Sequence, residues 1–270
     1  MAGKEKPQGV AVVTGAAGGM GSACASELVS EGWNELLLCD ISADGLEAIA
    51  APLREQGAKV DILAGDIADA DYGAQLVAAL KGRPIAALIH TAGISPTMGD
   101  AERILAVNLD ATVQLVEAIR EHMSPGSAAV LYASNSAHMP MPPEAAAVFW
   151  GPLPEGGAMA LAHLCPTREM AYPLSKIGVR ALVKREAKSF GERGARLVSV
   201  SPGVIDTPMS RDEAAKSPIM AKMINDGAIS RMGRPKELAA VSVFLCSPKA
   251  SFVSAIDVLV DGGQIAGMGF

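Results

Sequence analysis

The sequence predicts an α/β fold: one domain over residues 1–270, built on a doubly wound, seven-stranded parallel sheet with helices on both faces. Three observations predict it. Short apolar runs of strand length alternate with longer amphipathic stretches, the pattern of successive strand–helix–strand units. Most of those runs end on Gly or Asp. Glycine is abundant at 28 residues while aromatics make up 4%, a composition that lets helices pack close to strands.

The elements follow in order. Val10–Val13 is a buried strand ending at Thr14-Gly15, and Ser22–Glu31 is a helix with Ala23, Leu28 and Val29 inward. Glu35–Cys39 is the second strand, closed by Asp40, and Leu46–Gln56 the second helix. Lys59–Leu63 is the third strand, ending at Gly65-Asp66. Ile85–His90 is the fourth, ending at Thr91-Ala92-Gly93. Ala101–His122 is one long helix before the fifth strand, Ala128–Ala133. Tyr172–Phe190 is a helix, and Arg196–Val200 the sixth strand, ending at Pro202-Gly203. Lys236–Leu245 is a further helix, and Ala255–Val260 the seventh strand, ending at Asp261-Gly262-Gly263. Neither repeats nor low-complexity linkers divide the chain.

Two segments break this rhythm. Residues 138–171 hold Pro140, Pro142, Pro143, Pro152, Pro154 and Pro166 among Met139, Met141, Phe149 and Trp150. Residues 208–235 are rich in Met. Connections this long in a compact domain are usually functional. The first is expected to be an insertion on the substrate side, and the second a substrate loop facing it. The apolar and Met side chains of 138–171 suit flat or alicyclic carbon; an oligomer contact is the alternative use of them.

Composition bounds the function. The chain has 270 residues, 50% of them hydrophobic and 19% charged, with 23 Lys and Arg against 29 Asp and Glu, a net charge of −6. That balance argues against nucleic acid or an anionic membrane as the main partner. Cys24, Cys39, Cys165 and Cys246 have no metal-ligand spacing, so no metal is expected and the thiols read as reduced and buried. Met1–Gly9 is polar, with Lys4 and Lys6, and no apolar run reaches about 18 residues. The expected location is the cytoplasm.

Thr14-Gly15-Ala16-Ala17-Gly18-Gly19-Met20-Gly21 joins the first strand to the first helix. Glycines let the backbone approach a pyrophosphate, and a helix N-terminus offers unpaired N–H groups and a positive dipole end. A turn that merely packs tightly is the bland alternative, and the strand–turn–helix order speaks against it. The motif is TGxxxGxG rather than GxGxxG, and Gly18 also satisfies TGxxGxxG. The expectation is a Rossmann fold. Asp40, at the end of the second strand, can accept both ribose hydroxyls and would repel a 2′-phosphate. Neither Lys nor Arg lies between Val10 and Asp40 to hold such a phosphate. NAD is therefore expected over NADP.

Tyr172 and Lys176 are four apart on one helix face. Free tyrosine has a pKa of about 10, too high for a base at neutral pH. A nearby ammonium and an oxidised nicotinamide stabilise the phenolate.

Together these motifs resemble the classical short-chain dehydrogenase/reductase family. TGAAGGMG, His90-Thr91-Ala92-Gly93, Asn108, Ser134, Tyr172-Pro-Leu-Ser-Lys176 and Pro202-Gly203-Val204-Ile205-Asp206-Thr207-Pro208-Met209 occur in the family's order, over about residues 9–264. The resemblance implies that Tyr172 is the general acid/base and that Lys176 lowers its pKa and binds the nicotinamide ribose. It implies that Ser134 hydrogen-bonds the substrate oxygen and that Asn108 holds a water in a proton relay. Cofactor contacts are implied for Gly15, Ala17, Gly19, Met20, Gly21, Asp40, Thr91, Ala92, Gly93, Pro202, Gly203 and Ile205. Asp66 and Ile67 fall at the adenine, and Val204 and Thr207 at the nicotinamide.

Three features depart from the family pattern. His90-Thr91 replaces an Asn pair, and a hydrogen-bonded structural His90 is expected rather than a catalytic one. Ala133-Ser134-Asn135-Ser136 replaces Ser-Ser; counting from the strand favours Ser134, with Ser136 in reserve. Ser134 and Tyr172 are 38 positions apart, where the family has about a dozen. A bacterial 3α-hydroxysteroid dehydrogenase/carbonyl reductase branch has a similar enlargement, and Ser136-Ala137-His138 and Glu192–Arg196 resemble it too.

The expected function is NAD-dependent hydride transfer involving a bulky hydrophobic secondary alcohol or ketone, cyclic or steroid-like. A sugar-nucleotide epimerase or dehydratase is the second reading; the end of the chain seven residues after Gly263 is set against it. The third is a non-catalytic NAD sensor, which has no need of the Ser134, Tyr172, Lys176 and Asn108 set. A homo-oligomer is expected, a tetramer with a dimer as the alternative. The last strand needs a cover at its edge, and the helix Tyr172–Phe190 can pack on its symmetry mate.

Overall fold

In the computed structural model, which describes residues 6–214 and 217–270, strand β1 (Val10–Thr14) is buried along its whole length. It feeds α1 (Gly19–Ser30), and the alternation continues through β2 (Glu35–Asp40), α2 (Ala43–Glu55), β3 (Lys59–Ala64), α3 (Tyr72–Ala79) and β4 (Ile85–His90). α4 (Ala101–Leu105), a π-helical turn (Ala106–Asp110) and α5 (Ala111–Ile119) form one rod leading to β5 (Met123–Tyr132). Then come α6 (Pro143–Trp150), a 3-10 helix (Ala158–Leu164), α7 (Arg168–Glu192) and β6 (Arg196–Pro202). α8 (Pro208–Ala214), α9 (Pro218–Asp226), α10 (Pro235–Cys246), β7 (Asp257–Val260) and α11 (Gln264–Gly267) complete the described elements.

Among the described residues seven strands form one sheet of order β3-β2-β1-β4-β5-β6-β7, every pair parallel. Strand alternation builds the two cores. Val10, Val12, Leu37 and Cys39 face the layer of α3, α5 and α7. Ala11, Val13, Leu36 and Leu38 face α1, α2 and α10. Strand order reverses between β1 and β4, which opens a crevice at the strands' C-terminal ends, where such sheets bind ligands.

Several boundaries differ from expectation for physical reasons. The inward face of α1 is Gly21, Cys24, Ala25 and Leu28; Ala23 and Val29 flank it, only partly buried. α3 is unanticipated: Gly73 weakens its first turn, and Asp71 makes no capping hydrogen bond. The rod from Ala101 is interrupted by its π turn. α7 starts at Arg168, because Thr167 accepts the Met170 N–H and caps it, and Pro173 lies inside the helix. β7 starts at Asp257; Ala255, at φ 59°, is in the left-handed region and cannot extend the strand.

The 138–171 segment packs against α7 and the π turn. Phe149 on α6 is fully buried in the core. Arg185 on α7 donates to the Gly151 carbonyl at 2.7 Å. The Trp150 ring lies 4.8 Å from Lys184 Nζ and 5.6 Å from Arg180. Asp110, at the end of the π turn, accepts the Ala158 and Met159 N–H groups at 2.5 and 3.1 Å. Gly157 precedes them at φ +74°, and a Cβ there would lie 2.4 Å from Asp110 Oδ1. The outer half of α7 is thus covered in part by the chain's own α6.

Candidate active site

A cleft of about 650 Å³ runs along the switch point. Its floor is the glycine-rich turn. Gly15 has φ +71°, and a Cβ on it would lie 2.7 Å from the Ala92 nitrogen; only glycine lets the first and fourth strand ends close up here. No side chain caps the N-terminus of α1, and its first turn holds no acid, so its N–H groups are open to an anion. Gly15, Ala17, Gly19, Met20 and Gly21 all line the cleft, which fits a dinucleotide pyrophosphate.

At the adenosine end, Asp40 Oδ2 accepts the Ala17 N–H and Oδ1 the Ser42 N–H, each at 3.1 Å. These bonds hold the carboxylate at the lip beside Ile41 and Ser42, and neither neighbour is basic. Asp66 and Ile67 line the same end. Asp66 pairs with Arg103, a cleft-lining cation unanticipated from the sequence. Burial acts to raise the Asp66 carboxyl, but the Ala68 N–H and Arg103 outweigh it and hold it low.

At the inner end, Ser134, Tyr172 and Lys176 line the cleft together. Tyr172 and Lys176 share one helix face, with Lys176 Nζ 5.8 Å from the Tyr172 ring centroid. The Tyr132 carbonyl, at the end of β5, accepts from that ammonium at 3.1 Å. Burial pushes the Lys176 ammonium down to about 8. Burial pushes the Tyr172 phenol up; a hydrogen bond with Ser134 opposes this and the Glu213 carboxylate adds to it. Ser136 stays off the cleft and donates its hydroxyl to Ser134 Oγ at 3.0 Å, leaving the Ser134 proton for another acceptor.

Asn108 does not line the cleft. From the π turn its side chain clamps Ile94, accepting the Ile94 N–H at 2.8 Å and donating to the Ile94 carbonyl at 2.9 Å. This fixes the Ala92-Gly93 stretch where it borders Lys176. Val204 also stays off the cleft, whereas Pro202, Gly203, Ile205 and Thr207 line it, as do Thr91, Ala92 and Gly93. The Val204 N–H donates to Gln264 Oε1 at 2.8 Å. Asn135 bonds the same oxygen at 3.3 Å. Gln264 therefore ties the sixth-strand turn to the residue after Ser134; its only sequence signal is its place after Asp261-Gly262-Gly263. His90 is hydrogen-bonded through both ring nitrogens and buried, the structural role expected of it.

The wall beside Tyr172 is not the one expected. No residue of 138–171 before Tyr172 lines the cleft, since Phe149 is spent on the core and Trp150 on α7. Ile94, Ser95 and Met98 after β4, with Pro208, Ser210 and Glu213 from α8, form that end instead. The part of the 208–235 expectation that falls on 215–216 and on the side chains of Met209 and Asp212 lies outside what is described.

Comparison with known proteins agrees with this geometry. A short chain dehydrogenase family model matches residues 9–146. The chain belongs to the short-chain dehydrogenase family. A second model, described as enoyl-(acyl carrier protein) reductase, matches residues 158–264. Residues 147–157, inside the added segment, fall between the two. D-threitol dehydrogenase of Mycolicibacterium smegmatis is 32% identical over 94% of this chain and 92% of that protein. Cis-4-hydroxycyclohexanecarboxylate dehydrogenase of Sinomonas cyclohexanicum is 30% identical over 95% and 96%. Among solved structures, the 3-alpha-hydroxysteroid dehydrogenase from Pseudomonas sp. B-0831, complexed with NADH, superposes with a TM-score of 0.78 at 26% identity, covering 96% of this chain and 98% of that one. This short-chain dehydrogenase thus has relatives named for open-chain, ring and steroid alcohols. Among the described residues no helix is long and apolar enough to cross a membrane.

Proposed function

We propose that this short-chain dehydrogenase transfers hydride between NAD and a hydrophobic secondary alcohol or ketone, with Tyr172 as general acid/base. The observation that carries the reading is the convergence of Tyr172, Lys176 and Ser134 at one end of a dinucleotide-shaped cleft. When bound, the nicotinamide accepts or supplies the hydride. The chain's own residues handle the proton. In the oxidation direction Tyr172 Oη takes the proton of the substrate hydroxyl, and in reduction it returns one to the carbonyl oxygen. Ser134, fed by the Ser136 hydroxyl, donates its own proton to that same oxygen and orients it. The Lys176 ammonium, anchored on the Tyr132 carbonyl, favours the phenolate.

NAD is favoured by Asp40 and by the uncharged Ile41 and Ser42 beside it. Ile94, Met98 and Pro208 supply apolar surface next to Tyr172, and ring alcohols occur in the names of two relatives. Association is assigned to the β7 edge of the sheet, where Ile256 and Leu259 are exposed, with Phe252 on the segment leading into it. The opposite edge, β3, exposes a single large apolar side chain, Ile62, and carries Lys59 and Asp61. The four free, buried thiols suit the reducing cytoplasm.

The test is incubation with NAD or NADP and a panel of secondary alcohols, read as reduced-cofactor absorbance. NAD-dependent turnover of ring alcohols is the expected result. Cofactor binding with no turnover of any alcohol would replace the enzyme by a sensor.

A further inference from the structure

Among the described residues, the substrate end of the cleft contains one carboxylate, and its placement is specific. Glu213, near the end of α8, lines the cleft with Ser95 and Ser210. Its Oε1 accepts the Thr97 hydroxyl at 2.8 Å. Thr97 in turn shares a hydrogen bond of 2.9 Å with Ser95. The carboxylate therefore bridges α8 and the loop after β4, the two elements that flank the reacting end. It is also near enough to Tyr172 to disfavour the phenolate there. A carboxylate has two acceptor oxygens and no donor, and Thr97 uses only part of that capacity.

Within the alcohol/ketone reading given above, on which this rests, we infer that Glu213 is a specificity residue that accepts a hydrogen bond from a second donor on the substrate and repels substrate carboxylates. The preferred class is a secondary alcohol or ketone bearing a further hydroxyl or a protonated amine beyond the reacting carbon. Ile94 and Met98 meet its carbon skeleton, and Glu213 meets the second polar group. A substrate carboxylate in the same place sets two like charges together in a partly dry cleft, which selects against it.

Four matched compounds test this: cyclohexanol, a cyclohexanediol, an aminocyclohexanol and a hydroxycyclohexanecarboxylate. Each is assayed for kcat/KM with NAD, and its dissociation constant is measured by calorimetry on the protein–NADH complex. The wild type should favour the diol and the amino alcohol over cyclohexanol by about tenfold or more, and rank the carboxylate last. Glu213→Gln keeps an acceptor but no charge, so it should retain the diol preference and lose both the amine preference and the carboxylate penalty. Glu213→Ala should lose all three. Thr97→Val removes the loop tie and should leave the ranking intact. A ranking that Glu213→Gln and Glu213→Ala leave unchanged overturns the inference, as does a wild type that treats all four alike. If none of the four turns over, it is the alcohol/ketone reading that fails, and the dissociation constants still decide the role of Glu213: a flat series rejects it and a charge-ranked one supports it.

Discussion

His90 Nε2 lies 2.9 Å from the Thr112 hydroxyl, in the core behind the cleft. Thr112 donates its own proton to the Asn108 carbonyl at 2.9 Å, so it must accept from the imidazole, and the proton of His90 is on Nε2. Nδ1 is then the acceptor for Thr14, at 2.6 Å. A one-way chain, Thr14 to His90 to Thr112 to Asn108, thus joins the end of β1 to the π turn. Burial pushes the imidazole down to about 3, with Lys176 adding to the effect, so the chain stays neutral and ordered.

His90→Leu should leave two buried hydroxyls without their ring partner. At about 1–3 kcal/mol for each group, the loss should be about 2–6 kcal/mol. His90→Gln keeps a donor near the Nε2 position and should recover part of it. Urea midpoints measure both, and a His90→Leu midpoint equal to that of the wild type would refute the chain's structural weight.

Tyr172→Phe keeps the ring and removes the proposed proton carrier. Turnover should fall by at least ~10²-fold, while the dissociation constant for NADH stays close to its wild-type value. Stopped-flow kinetics and fluorescence titration check the two halves separately. Near-native kcat would remove Tyr172 from the chemistry.

Asp40→Ala should narrow the preference for NAD over NADP in kcat/KM, since a carboxylate at the lip selects against a 2′-phosphate. It also frees the Ala17 and Ser42 N–H groups that Asp40 now accepts. A wild type that prefers NADP contradicts the assignment outright.

Lys176 carries a stability cost that depends on pH. Its ammonium falls from an ordinary 10.5 to about 8 in the folded chain. Below pH 8 both folded and unfolded forms hold the proton, and the full cost, about 3 kcal/mol at 1.36 kcal/mol per pKa unit, is present. Between pH 8 and 10.5 the unfolded chain binds more protons, so folding is progressively favoured and the cost disappears. Without cofactor, Lys176→Met should therefore be the more stable protein at pH 7 by up to that amount, with the gap closing towards pH 10.5. Thermal melts across pH measure it, and a gap that widens with pH would show the sign to be wrong.

The β7 edge should associate with another copy of the chain. Light scattering should give a multiple of 27.7 kDa. Phe252→Asp, at a fully exposed position outside the cleft, should shift that mass downward. A wild-type mass near 27.7 kDa rejects an oligomer.

Much of the fold is legible because its signals are local. Val10–Thr14 and Ile85–His90 are wholly apolar up to their ends because both of their faces are covered. The glycine turn, Asp40 and the Tyr172–Lys176 spacing are legible for the same reason: each role needs only a strand end or one helix face. Less legible are features whose cause lies far along the chain. Ser134 and Ser136 look alike until the first faces the cleft and the second donates to it. Gln264 acts through Val204, 60 positions away, and its place after Asp261-Gly262-Gly263 does not reveal that partner.

Segment 138–171 shows where chain-local reasoning stops. Its apolar residues and its position between Ser134 and Tyr172 point to the substrate, yet Phe149 fills the core and Asp110 clasps the backbone after Gly157. From the chain alone came the parallel sheet with helices on both faces, the glycine-rich turn and the Tyr172–Lys176 spacing, because these depend on periodicity and on spacings within single elements. The tertiary structure alone decided which side chains share the cleft with Tyr172. Phe149 is buried in the core and Trp150 lies against Lys184 of α7, so the loop after β4 and α8 form that wall instead.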